Sequence, residues 1–248
     1  MRADSALRAT QAGARTLADA AYLTLRREIL VGTRLPGAPL RLEALKQELS
    51  MGFSPLREAM MRLRSEGLVE SLGQRGFCVA LATPEQFDDL MSSRVRIEAL
   101  LLEDAIRCGD DDWEATILGD FHRLSKRDHT NPATGLISED WDAAHRAFHF
   151  SLVMASESVC LKGFWQSLFD QGQRYRQITV TRGSMLRDDR AEHQRLMDAV
   201  MRRDLPAALE ASREHIENTQ TLVRRLMFDA ARNSRAERVS DVANLHKT

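Results

Sequence analysis

The stretch from Phe53 to Gly67, FSPLREAMMRLRSEG, constrains the fold more than any other part of the chain. Ser54 offers a side-chain oxygen to a free backbone N–H of a first helical turn, and Pro55 has its φ preset for the first helical position. Leu56, Ala59, Met60 and Leu63 recur at i, i+3, i+4 and i+7 as one apolar stripe, while Arg57 and Arg64 stand seven apart on another side. Gly67 suits the position just past a helix end, where a left-handed residue is wanted. Such a helix buries one face and exposes a cationic one. Arginines on an exposed face are usually just solvated, so the neighbouring segments must decide their role.

Those neighbours are informative. Thr16-Leu17-Ala18-Asp19 matches a helix-start signal, and Leu17, Ala21, Leu25 and Ile29 continue it as a first helix over about 17–31. Leu42, Leu45 and Leu49 mark a short second helix, and Ser50-Met51-Gly52 turns into the third. Three helices with short turns make a helix-turn-helix core, whose last helix suits a DNA major groove through Ser54, Arg57 and Arg64. Leu68 to Leu72 and Phe77 to Ala82 then read as strands around Gly73-Gln74-Arg75-Gly76, a wing with Arg75 at its tip. Charge agrees: residues 1–83 hold 12 Arg/Lys against 8 Asp/Glu, and residues 84–248 hold 23 against 28.

From Thr83 onward the texture changes to helical patterning that runs nearly to residue 233, with breaks near Gly109 to Asp112, His129 to Gly135, Ser156 to Glu157 and Arg182 to Ser184. Six or seven antiparallel helices are expected. With nine Phe, two Tyr and three Trp, and few alternating Val/Ile/Thr runs, the chain is expected to be mostly α. The organisation read from it is a mobile arm at 1–15, a winged helix-turn-helix at 16–83, an all-α antiparallel bundle at 84–233 and a flexible tail at 234–248. No apolar run has the roughly 18 residues of a membrane span, and the N-terminus lacks the apolar core of a secretory signal. Cys78, Cys108 and Cys160 form no CxxC pair, which points to reduced thiols and a cytoplasmic protein.

Taken together, TLRREILVGTRLPGAPL, SPLREAMMRLRSEGLV and GQRGFCVA resemble the GntR family of bacterial transcription regulators, and the helical remainder resembles the FadR-type ligand-sensing domain called FCD. QRGF after SPLREAM, and WDAAHRAFHFSL later, look most like the CsiR branch, which is associated with glutarate and related amino-acid catabolism. The resemblance implies a homodimeric regulator, a repressor, that binds a short pseudo-palindromic operator in double-stranded DNA and answers to a small effector. Arg57 matches the second arginine of the family's recognition helix, and Arg75-Gly76 matches its wing tip. The first family arginine falls on Phe53, which cannot make an arginine's bidentate contact to guanine.

The second domain carries His145 and His149 four apart on one predicted helix, with His193 and His215 on two later ones. Spacing lets the first two face a common ion, and it equally allows four ordinary polar histidines. The resemblance adds that many such domains hold a divalent metal with one Asp and three His. Phe148-His149 matches the family's FH pair, His193 and His215 match the other two histidines, and His145 stands where the Asp is expected. An all-imidazole set suits Zn²⁺ or Ni²⁺ better than Ca²⁺ or Mg²⁺. Asp142 is a possible acceptor for an imidazole N–H, or a solvated carboxylate. Arg94, in Arg94-Val95-Arg96-Ile97-Glu98, matches a pocket-facing arginine of the family and suits a small carboxylate effector such as glutarate, with Arg174 and Arg176 as further candidates against a solvated face or a salt bridge. The rival reading is a metal-dependent hydrolase using the histidines; no HExxH or nucleophile motif supports it.

Overall fold

A computed structural model describes residues 16–73, 76–181 and 189–229, with the backbone alone at 177–181 and 228–229. The arm at 1–15, Arg75, the break at Arg182–Ser184 and the tail at 234–248 lie outside the described residues. The chain divides into two compact units between Ala82 and Thr83.

In the first unit α1 (Leu17–Leu30), α2 (Leu42–Leu49) and α3 (Phe53–Ser65) enclose a core of Leu25, Ile29, Leu45, Leu49, Leu56, Met60 and Leu63. The helix α1 opens with a capping box in which Thr16 accepts from the Asp19 N–H while Asp19 accepts from the Thr16 N–H. Asp19 also accepts from Arg62 at 2.7 Å, and Glu66 accepts from Tyr22 and Arg26, so α1 is pinned along the length of α3. The start of α3 differs from expectation. Gly52 is its N-cap, without a side-chain bond, and Ser54 and Pro55 lie inside the first turn. Proline is tolerated there because the first four N–H groups of a helix have no partner within it. The other end is a complete Schellman closure: Gly67, at φ +69°, donates to the Arg64 carbonyl and Leu68 to that of Leu63, both at 3.0 Å.

The three strands β1 (Pro39–Leu40), β2 (Val69–Ser71) and β3 (Phe77–Val79) form an antiparallel sheet in the order β1-β3-β2. The two wing strands are shorter than the alternation suggested, and β1, a two-residue strand, has no counterpart in the sequence reading. Cys78 of the central strand pairs with both Pro39 and Glu70.

The second unit holds α4 (Pro84–Cys108), α5 (Asp111–Ser125), α6 (Glu139–Val153), α7 (Val159–Thr181), α8 (Arg190–Met201) and α9 (Leu205–Val223), the last running into a π-helical turn (Arg224–Asp229). Its core contains Leu101, Leu102, Trp113, Trp141, Phe148, Trp165, Phe169 and Leu196. Thr83 and Gln86 form a capping box for α4 with Pro84 in its first turn. At Gly109 a Cβ would lie 1.9 Å from the Trp113 ring, whose N–H donates to the Ser151 carbonyl, so a glycine is required where α5 folds back. One break has no counterpart in the sequence reading: Arg202 to Asp204 separates α8 from α9. Arg203 sits at φ +54° and donates to the carbonyls of Ile106 and Gly109 at 2.9 Å, completing the unsatisfied C-terminus of α4. Asp204 caps α9 by accepting from Ala207. No described helix is long and apolar enough to cross a membrane.

Candidate functional site

In the first unit Leu56, Ala59, Met60 and Leu63 are fully buried, and this rotates Ser54, Arg57, Met61 and Arg64 of α3 outward into exposure. The arginines of this helix differ in commitment. Arg62 is tied to Asp19 and lies over the Tyr22 ring, its Cζ 3.9 Å from the centroid, whereas Arg57 and Arg64 have no side-chain ion pair among the described residues. Phe53, at the first helical position, lies under the Lys46 ammonium of α2, 4.8 Å from its ring centroid. Gly76 adopts φ +98° in the turn between the two wing strands, where Leu72 donates to its carbonyl at 2.8 Å.

The second unit brings its four histidines together from three helices. His145 and His149 stand one turn apart on α6, His193 lies near the start of α8, and His215 is in the middle of α9. One ligand atom from each falls within 4.8 Å of all the others, and none of the four residues exceeds 3% exposure. His149 Nε2 and His193 Nε2 are 3.2 Å apart. Tetrahedral bonds of about 2.0–2.1 Å to nitrogen place neighbouring ligand atoms about 3.3 Å apart, so this pair is already spaced for a common ion. Burial drives His145 and His149 well below the ordinary imidazole range; Arg176 adds to this at His145, and His215 at His149. Uncharged imidazoles in a buried group hold lone pairs, which is the state that binds a metal.

The four are not equivalent. Ring centroids of His149, His193 and His215 lie 4.6–5.1 Å apart, while His145 is 6.2 Å from His215. Both ring nitrogens of His145 face Arg176 Nη1, at 3.2 and 3.3 Å. His215 Nδ1 contacts Glu192 at 2.9 Å, and His193 Nδ1 lies 3.6 Å from Asp189. Among the described residues Asp142 bonds to no imidazole: it accepts from Gln173 and lies 4.0 Å from Arg176, and burial raises its carboxyl above the usual range.

The arginines surround this cluster. Arg94, Arg146 and Arg176 place their guanidinium carbons 4.8, 5.6 and 5.4 Å from the centroid of the Phe169 ring, whose centroid is 5.7 Å from that of His145. Arg94 donates through Nε to Glu98 at 3.3 Å, and its buried Nη2 has no hydrogen-bond partner among the described residues. Arg174 is buried rather than solvated. A cavity of about 550 Å³ opens beside the cluster, lined by Phe121, Leu124, His129, Trp141, Arg190 and His193 among others. It shares His193 with the imidazole set and includes neither Arg94 nor Arg174. Trp141 and His129 join the cavity to His145 by ring contacts, His129 to Trp141 at 3.8 Å and Trp141 to His145 at 4.5 Å between centroids; Trp141 opens the WDAAHRAFHFSL stretch, but the sequence reading assigns neither ring a role.

A winged helix-turn-helix unit followed by a helical bundle with a buried imidazole cluster defines a class of DNA-binding transcription regulators with a sensing domain. The bacterial regulatory protein gntR family matches residues 17–79, and the FCD domain matches residues 89–218. The chain belongs to the GntR family of bacterial regulatory proteins, with an FCD domain as its second unit. It is 35% identical over 210 residues to the HTH-type transcriptional repressor GlaR of Escherichia coli strain K12, covering 83% of this chain and 95% of GlaR. The HTH-type transcriptional regulator BphR of Paraburkholderia xenovorans is 32% identical over 214 residues, covering 86% of this chain and 87% of its own. In fold it is similar to E. coli McbR/YncC, with a TM-score of 0.70 at 18% identity, over 86% of this chain and 99% of that one. These families and relatives are transcription regulators, and the hydrolase reading finds no support among them.

Proposed function

We propose that this regulator is a cytoplasmic homodimer that represses from operator DNA and releases or rearranges when its second unit binds a small carboxylate beside a divalent metal. The observation that carries the reading is the buried set His145, His149, His193 and His215, four imidazoles drawn from three helices with ligand atoms within 4.8 Å of one another. The donor chemistry fits Zn²⁺ or Ni²⁺, and such an ion would supply a Lewis-acidic point for a carboxylate oxygen. Arg94, through its unengaged Nη2, is the fork for that carboxylate, with Arg174 as a second cation for a dicarboxylate such as glutarate. At the other end Ser54, Arg57 and Arg64 read or grip the duplex from α3, and Arg75 and Gly76 do so from the wing. Repression accords with the name of GlaR. Effector binding shifts DNA affinity only in so far as the effector prefers one arrangement of the dimer.

The test is a thermal-shift screen of short mono- and dicarboxylates on the full chain, with metal and with chelator, followed by gel shift on promoter fragments. A dicarboxylate that raises the unfolding midpoint only with metal, and changes operator affinity, is expected. Stabilisation indifferent to chelator would overturn the metal-assisted pocket.

A further inference from the structure

The four imidazoles receive unequal support from the groups behind them, and the difference identifies a residue that controls the cluster without belonging to it. Glu192 Oε2 lies 2.9 Å from His215 Nδ1, and Glu192 Oε1 accepts from Asn218 Nδ2 at 3.0 Å. The side chains of Glu192 and His215 are 11% and 3% exposed, so water competes little for this contact. An ionised carboxylate is an acceptor only, so His215 must carry its proton on Nδ1 and keep its lone pair on Nε2. Glu192 is on α8 and His215 on α9, so the same bond sets the ring's tautomer and the register between two helices that each contribute a ligand candidate. Asp189 backs His193 Nδ1 more loosely, at 3.6 Å, and the buried Nδ1 of His149 has no hydrogen-bond partner among the described residues. His149 and His193 already meet through Nε2.

We propose that Glu192 is the positioning residue of the metal site: it holds His215 as its Nδ1–H tautomer with Nε2 directed inward, and thereby sets the affinity for the ion. The inference rests on the reading of the histidines as a metal site. A backing carboxylate also makes the ring a stronger donor and adds a negative charge near a dication, both of which favour binding.

The experiment is Co²⁺ and Zn²⁺ affinity of the full chain by competition with a chromophoric chelator, with the Co²⁺ visible spectrum as second readout. Glu192→Gln retains size and an acceptor oxygen but removes the charge. It is expected to weaken Zn²⁺ binding about 10- to 100-fold and to shift the Co²⁺ bands. Asn218→Ala, which disturbs the other carboxylate oxygen, is expected to stay within a few-fold of wild type. Unfolding midpoints in chelator separate lost affinity from lost fold, and an unchanged Glu192→Gln midpoint is expected. Wild-type affinity and an unshifted Co²⁺ spectrum in Glu192→Gln would overturn the role of Glu192 while leaving the metal site standing. A wild-type chain that binds neither ion would remove the metal site itself, and this inference with it.

Discussion

Replacing Arg94 by methionine isolates what a buried charge contributes here. Glu98 is 2% exposed and is held by three donors: Arg94 Nε at 3.3 Å, Trp165 Nε1 at 3.1 Å and Ser212 Oγ at 2.9 Å. Methionine fills most of the arginine stem, so the loss is electrostatic rather than a cavity. Removing one partner of a buried ion pair costs about 3–5 kcal/mol, because the carboxylate left behind is uncompensated. The two neutral donors that remain place this case near the lower limit, about 3 kcal/mol. For a unit of this size that lowers the unfolding midpoint by about 6–12 °C. Adding Glu98→Gln removes the orphaned charge, and the double variant is expected to recover most of the loss. The assay is urea and thermal unfolding of the full chain by circular dichroism in chelator, completed as a double-mutant cycle. An Arg94→Met variant within about 1 kcal/mol of wild type, or a double variant as unstable as the sum of the singles, would refute the reasoning. The double variant also separates roles, since it should remain folded yet lose any stabilisation by dicarboxylates if Arg94 Nη2 is their fork.

Four further outcomes are expected. Arg57→Ala costs about 1–3 kcal/mol of operator binding, and Arg62→Ala, whose side chain is committed to Asp19, changes it little; fluorescence anisotropy at fixed salt compares them. Metal at a hundredfold excess over its Kd stabilises the second unit by about 2.7 kcal/mol, and chelator reverses this in a melting curve. Burial, with Arg176 second, pulls His129 from 6.5 down to about 4, so the unfolded chain takes up this proton first as the pH falls. Its neutral form therefore supports the fold fully above pH 6.5, and that support is lost between 6.5 and 4. His129→Phe should flatten the acid limb of stability measured by urea unfolding. Gly67→Ala forces a Cβ into a left-handed residue and costs about 1–2 kcal/mol, seen as a lower unfolding midpoint of the first unit.

Much of this architecture is legible in the primary structure because local rules and packing agree. The stripe Leu56, Ala59, Met60 and Leu63 is buried as its spacing requires, and Thr16 with Asp19 and Thr83 with Gln86 both close as capping boxes. The start of α3 is misread by two residues because Ser54 and Pro55 are good start residues that are also tolerated inside a first turn. The break at Arg203 is hidden for a different reason. Its local signals are Asp204 and Pro206, but its cause is a bond to the distant end of α4, which no periodicity records. Of the site, the histidines can be picked out by residue type, whereas the partners that distinguish them cannot. Arg176 against His145, Glu192 against His215 and the stack of His129 on Trp141 depend on how helices cross, and the sequence carries no period for that.

The small sheet has one more consequence. Because β1 comes from the segment before α2, the strand returning from the wing is clasped on both edges, with Val79 donating to the Ala38 carbonyl at 2.9 Å on one side and pairing with Val69 on the other. Its amides should therefore exchange slowly with deuterated solvent, and the angle at which the wing leaves the body is set at its root, by a strand that the chain lays down two helices earlier.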